Sequence, residues 1–292
     1  MNTLLRQFLI AILGIALAAP AAAAAPLQVF VSILPLKTFV RQVGGDHVAV
    51  RVMVGPGQEP ASYEPTPRQM TELAGARLYF RIGVPFENVW MSRIIANNPQ
   101  MTVVDLRRGL ALKTLAAHTH EGAWHGSDKA IDPHVWTDPM MVRTMVGTIA
   151  AALGKADPAH AADYRSAAAA YAAKLKALDG EIRRMLAPVK EKKFLVFHPA
   201  WGYFADAYGL KQIAIEAGGK QPGARALAGL IARSKKEGIR VIFIQEQFSR
   251  RLAKSVARQI GARVVAVDPL APDYLTNMRH VAGAFAQAME TQ

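Results

Sequence analysis

Two rhythms of apolar and polar positions run along the chain. Short β-branched runs read as strands at residues 27–33, 48–54, 77–82 and 101–105, and again at 194–197, 212–215, 241–244 and 264–267. Between them lie stretches with helical spacing. Residues 36–43, 67–74 and 86–96 form one set; residues 202–208, 224–236, the stretch from Ser249 to Ile260, and 274–288 form the other. Pro67 suits a first helical turn, where its missing N–H costs nothing. Strands alternating with helices predict parallel sheets, and the two halves share this architecture without a visible short-period repeat.

The longest periodic element separates the halves. Asp157 is a good N-cap and Pro158 a good first helical residue. Tyr164, Tyr171, Leu175, Leu178, Ile182 and Leu186 then recur at steps of three, four or seven, one helical stripe that ends before Pro188. A helix over 159–186 is about 40 Å long, enough to connect two lobes rigidly. Residues 107–131 show no clean period and read as a long loop, which in a compact domain is usually functional. The expected fold is therefore α/β: two βα lobes with parallel sheets joined by one long rigid helix. The divisions are 1–25, 26–156 for the N-terminal lobe, 157–187 for the linker helix and 188–292 for the C-terminal lobe.

The N-terminus changes the picture of where the protein works. A basic start with Arg6, an apolar run over 8–18 and an alanine-rich stretch over 19–25 read as a secretory signal peptide. The apolar run is short for a membrane span, and no later stretch is long enough to cross a bilayer. The chain has no cysteine, so it forms no disulfides and any metal must be held by nitrogen and oxygen. Export without disulfides suits a bacterial periplasm. The net charge of +13 falls to +12 without Arg6. Its lysines and arginines are scattered, with no aromatic-interleaved basic stripe, so they read as solvated helix faces and nucleic acid is not expected as a partner.

The chemistry sits at strand ends. His134 lies in Asp132-Pro133-His134-Val135-Trp136. His198 follows Phe194-Leu195-Val196-Phe197, and Asp268 follows Val264-Val265-Ala266-Val267. In open α/β folds ligands bind at the carboxyl ends of strands. Two imidazoles and a carboxylate suit a borderline divalent ion such as Zn2+. The long loop adds His118, His120 and His125, which read either as metal-capturing groups or as exposed polar residues. Asp268 has a competing role as a cap of the following turn. His47, His160 and His280 read as surface or helix-face residues. The glycine-rich stretch 218–223 lacks a Gly-Lys-Ser/Thr sequence and does not read as a phosphate loop.

Taken in order, several weak motifs become specific. Tyr63-Glu64-Pro65-Thr66-Pro67, Asp132-Pro133-His134-Val135-Trp136, Phe197-His198-Pro199-Ala200-Trp201-Gly202-Tyr203-Phe204 and Val267-Asp268-Pro269-Leu270 resemble the zinc/manganese-type solute-binding proteins of ABC importers, the ZnuA/TroA-like family. The stretch from Gly238 to Ile244, before Gln247-Phe248, also fits. The resemblance covers the whole chain after the signal. It implies two lobes around a rigid helix, metal bound in the cleft between them, and a monomer that hands Zn2+ (or Mn2+) to a membrane permease without catalysis; the long helix limits hinge opening, so small lobe motions and local loop ordering are expected. It carries the family's second, third and fourth ligands onto His134, His198 and Asp268. The first is a histidine in the family, and Ala61 stands in its place here.

Alanine cannot bind metal, so three substitutes are open: a water, the carboxylate of Glu59 two residues earlier, or a histidine of the loop. Two other functions compete. A zinc-dependent hydrolase would use the open position for water, with Glu59 or Glu64 as base, but the chain has no His-Glu-x-x-His helix. A periplasmic metal scavenger or chaperone without its own permease would share every motif.

Overall fold

The structure is a computed structural model that describes residues 25–114, 131–190, 192–216, 222–245, 248 and 250–290. The signal segment and the three loop histidines, His118, His120 and His125, lie outside these residues. In the first lobe, β1 (Leu27–Val31), α1 (Leu34–Gly44), β2 (Val48–Val52), α2 (Pro67–Leu73), β3 (Leu78–Arg81), α3 (Pro85–Asn97) and β4 (Thr102–Asp105) follow one another. The strands form one parallel sheet in the order β2-β1-β3-β4. Two helices come next, α4 (Pro139–Ala156) and α5 (Ala161–Leu186). The second lobe runs β5 (Lys193–Val196), α6 (Gly202–Ala207), β6 (Lys211–Ala214), α7 (Ala224–Lys236), β7 (Val241–Ile244), α8 (Arg250–Ile260), β8 (Arg263–Ala266) and α9 (Tyr274–Glu290). Its parallel sheet has the order β6-β5-β7-β8. The two sheets thus repeat one topology, as the alternation of elements implied.

Every strand expected from the sequence is present, each within two residues of its expected ends. One helix was not expected. α4 has clear signals in retrospect: Asp138 accepts a hydrogen bond from the Met140 N–H at 2.7 Å as N-cap, Pro139 opens the helix, and Val142, Met145, Val146, Ile149 and Leu153 are buried at helical spacing. The start of the long helix also differs. Asp157 does not cap it; its Oδ2 instead accepts from Tyr164 Oη at 2.6 Å and pairs with His160 Nδ1 at 2.7 Å. A 3-10 turn over Pro158–His160 precedes α5, because the carboxylate is held by these side chains rather than by the backbone.

The stripe read from the sequence is the buried face of α5, including Tyr164, Tyr171, Leu175, Leu178, Ile182 and Leu186. It packs against α4, α1 and α9, so one helix holds elements of both lobes. The main core runs without a break from Val29 and Phe30 of β1, through α4 and α5, to Phe194 and Phe243 of the second sheet. A smaller cluster, with Leu195, Ile242 and Ile244, fills the other face of that sheet under α7 and α8. Phe39 of α1 meets Tyr274 of α9 edge-on at 4.9 Å, a direct contact between lobes. Among the described residues no helix is long and apolar enough to cross a membrane.

Phe285 of α9 anchors this arrangement. It stacks on Phe243 at 3.8 Å and meets Phe194 at 4.8 Å and Phe204 at 5.2 Å. Removing a fully buried phenyl ring costs about 3–5 kcal/mol through lost burial and a residual cavity. Phe285→Ala should lower the urea-unfolding free energy by that order. A loss below about 1 kcal/mol would mean that α9 does not depend on this contact.

Candidate metal site

His134 is fixed by its own sequence neighbourhood. Asp132 Oδ1 accepts the His134 backbone N–H at 3.0 Å and its Nδ1–H at 2.7 Å. A 3-10 turn over Val135–Thr137 follows, with Thr137 Oγ1 donating to the His134 carbonyl at 2.9 Å. Both Asp132 and His134 are buried, at 4% and 8% exposure. On the second lobe, His198 stands two residues beyond β5, at the carboxyl end of the strand beside which the sheet order reverses. Glu216, two residues beyond β6, places Oε1 3.4 Å from His198 Nδ1. Phe248 stacks on the imidazole at 5.4 Å with an interplanar angle of 20°.

The two imidazoles face each other across the lobes, their Nε2 atoms 3.3 Å apart. With each Nδ1 beside a carboxylate, both Nε2 atoms are placed to turn lone pairs to the same point once an ion replaces the hydrogen bond between them. Two nitrogens bound to a tetrahedral zinc at about 2.0–2.1 Å stand about 3.3–3.4 Å apart, the spacing seen here. The pair is therefore a ready-made two-point chelate, with the carboxylate backing usual for metal-binding histidines.

The third expected ligand behaves differently. Asp268 Oδ1 accepts the Leu270 N–H at 2.8 Å, the turn-capping role that competed with ligation, and Asn277 Nδ2 donates to the Asp268 carbonyl at 2.7 Å. Among the described residues no three His, Asp or Glu side chains gather closely enough to hold an ion. The structure brings His134 and His198 together, and the Asp268 side chain caps the turn at Leu270. Glu59 is half-buried on the loop that carries exposed Ala61, and its Oε1 accepts the Ala61 N–H at 3.3 Å. Its charge reaches His134, where it favours the protonated ring.

The surrounding motifs turn out to be supports. Tyr63 Oη donates to Gln69 Oε1 at 2.6 Å, Thr66 and Gln69 form a reciprocal capping box, and Gln69 Nε2 donates to the Met53 carbonyl at 2.9 Å. The Tyr-Glu-Pro-Thr-Pro segment thereby fixes the Glu59 loop, while Glu64 points to the surface. Across the cleft, Trp136 Nε1 donates to the Pro269 carbonyl at 2.8 Å. Tyr203 Oη donates to the Asp132 carbonyl at 3.0 Å and accepts from the Lys113 N–H at 2.9 Å. Gly202 lets α6 approach this point, since a Cβ there would lie 3.0 Å from Asp132 Oδ2. His47 and His160 stack on one another at 3.8 Å at the start of α5, away from this pair, and His280 is exposed on α9.

Sequence and structure comparisons agree on what these features amount to. Residues 29–288 match the family described as zinc-uptake complex component A, periplasmic. The chain belongs to this family of zinc-uptake solute-binding proteins. It is 30% identical over 278 residues to the zinc-binding protein AdcA of Streptococcus pyogenes, covering 86% of this chain and 54% of that one. It is also 30% identical over 251 residues to the high-affinity zinc uptake system protein ZnuA of Bacillus subtilis, covering 84% and 78%. The chain thus spans about half the length of the AdcA relatives it matches. A crystal structure of a zinc-bound ZnuA deletion variant superposes with a TM-score of 0.84 at 36% identity, covering 91% of this chain and 99% of the other. The fold expected from the sequence, two parallel-sheet lobes with a long connecting helix, is the fold of this family.

Burial holds the His134 imidazole below the ordinary histidine range, against the Asp132 carboxylate, which favours protonation. An unfolded histidine titrates near about 6.5. Below that pH the unfolded chain takes up a proton that the folded site resists, so folding weakens as pH falls from about 6.5 toward the lower folded value. The urea midpoint of the metal-free protein should therefore drop over this range, and His134→Gln should flatten the drop. An unchanged slope in the variant would show that His134 is not the source.

Proposed function

We propose that the chain captures Zn2+ outside the cytoplasm and delivers it to the permease of an ABC importer. The observation that carries this reading is the 3.3 Å separation of two carboxylate-backed Nε2 atoms contributed by opposite lobes. In this reading residues 26–156 and 188–292 are the two lobes and residues 157–187 the rigid linker, behind a signal peptide at 1–25. One chain forms the binding unit, because both histidines and both backing carboxylates belong to it.

His134 and His198 bind the ion as neutral imidazoles. Asp268 joins them when a metal draws its second carboxylate oxygen into the cleft. Glu59, whose charge already reaches His134, takes the position that the family gives to the histidine replaced by Ala61. This set is nitrogen and oxygen only, which a borderline ion such as Zn2+ accepts readily and which Mn2+ also tolerates. Hydrolysis is not part of the reading: Glu64 is exposed, and Glu59 is assigned to the ion itself.

Titration of the mature protein with Zn2+ and with Mn2+ tests this directly. We expect a single tight zinc site with weaker manganese binding. His134→Ala and His198→Ala should each weaken zinc by at least about 100-fold, and Asp268→Ala or Glu59→Gln by about 10-fold. Unchanged zinc affinity in His134→Ala would sink the site. Preference for manganese would sink the zinc reading alone. Zinc affinity should also weaken as pH falls, since protons compete for both imidazoles.

A further inference from the structure

We propose that Glu216, which carries none of the family motifs, is the residue that positions His198 for metal binding. The inference rests on His198 being a ligand, and it concerns how that ligand is prepared.

Strand register places the two residues side by side. β5 and β6 are parallel neighbours, with Val196 opposite Ala214. The pairing continues past the strands, as the Ile215 N–H donates to the Val196 carbonyl at 2.8 Å and the Glu216 N–H to the Phe197 carbonyl at 3.0 Å. His198 and Glu216 are each two residues beyond this opposed pair, so their side chains leave the same face of the sheet edge. Glu216 is buried, at 5% exposure. A carboxylate is costly to bury without a donor. Among the described residues, His198 Nδ1 at 3.4 Å is the hydrogen-bond partner of this side chain.

The consequence is a choice of tautomer. A neutral imidazole carries one proton, and a carboxylate at Nδ1 keeps it there. Nε2 is then left with its lone pair aimed at Nε2 of His134. Without Glu216 the proton is free to move to Nε2, where it blocks the metal position. The lone pair would still be available, but only after the ring shifts its proton or turns. Phe248 limits turning by covering one ring face. The arrangement mirrors Asp132 behind His134, with one difference. Asp132 is two residues from its histidine in sequence and is fixed by a local turn, whereas Glu216 is eighteen residues away and is fixed by the sheet.

The ring nitrogens of the metal-free protein report this without any metal. Nitrogen-15 NMR should show His198 protonated at Nδ1 in the wild type and in Glu216→Gln, whose amide oxygen still accepts. In Glu216→Ala the proton should move to Nε2 in a substantial fraction of molecules, while His134 keeps its tautomer. Zinc affinity should fall about 10–100-fold in Glu216→Ala and by only a few-fold in Glu216→Gln. Wild-type His198 protonated at Nε2 would overturn the proposal, and so would a Glu216→Ala variant unchanged in tautomer and affinity. An equally large loss in Glu216→Gln would also overturn it, by making Glu216 a direct ligand. If Glu216→Ala fails to fold, the wild-type tautomer and Glu216→Gln still decide. If instead His198→Ala binds zinc as tightly as wild type, the ligand reading fails while the tautomer result for Glu216 stands.

Discussion

The distance between His134 and His198 is set by how the two lobes are locked together. The histidines are 64 residues apart and belong to different sheets, so no local turn brings them within 3.3 Å. What does so is the continuous core along α5, reinforced by Phe39 against Tyr274 and by hydrogen bonds from Trp136 and Tyr203 across the cleft. A close-packed interior tolerates little sliding. A chelating pair built across such an interface has a nearly fixed bite, and that bite fits a small tetrahedral ion. The same rigidity argues that metal capture moves side chains and loops more than lobes.

The repeated topology shows the second lobe presenting its histidine from a strand end, while the first does not. Both sheets reverse their order beside the first strand, the place where open α/β folds bind ligands. In the second lobe, His198 follows β5 at that point and faces the cleft. In the first lobe the equivalent position, two residues beyond β1, is Ile33, which is fully buried. It is part of the core and offers nothing to an ion. The first lobe instead supplies His134 from the short segment that leads into α4, held by Asp132 and the following 3-10 turn. Two different local devices thus deliver two equivalent nitrogens.

Much of this was legible in the sequence because the strands read as apolar runs, those of β3, β5 and β7 being buried along nearly their whole length. Such runs announce their ends, and the ends are where His198 and Asp268 stand. The long helix was legible from its stripe, although not its first turn, where Asp157 is drawn to Tyr164 and His160 instead of the backbone. α4 went unread since its apolar residues follow the unpatterned loop and merge with an alanine-rich stretch. Glu216 was hidden for a deeper reason. Its role depends on the register between β5 and β6, and a single sequence carries no sign of which strands become neighbours. Asp268 showed two chemically sensible roles that only geometry separates, and the capping of Leu270 is the one made by Oδ1.

Replacing the neutral family histidine by Ala61 lowers the ligand count of the proposed site and leaves its charge unchanged. Two neutral imidazoles and one carboxylate leave a divalent ion with one uncompensated positive charge in a half-buried cleft, where poor solvation makes that charge expensive. A carboxylate from Glu59 brings the set to neutrality; a water does not. Glu59 is already close enough for its charge to act on His134, and among the described residues its side chain is held by a backbone N–H at 3.3 Å, a weak hold to give up. Electrostatics therefore favours the carboxylate over the water once an ion is bound. It also gives the site a harder, more oxygen-rich character than a three-histidine set, so manganese is the ion against which its zinc preference is most exposed.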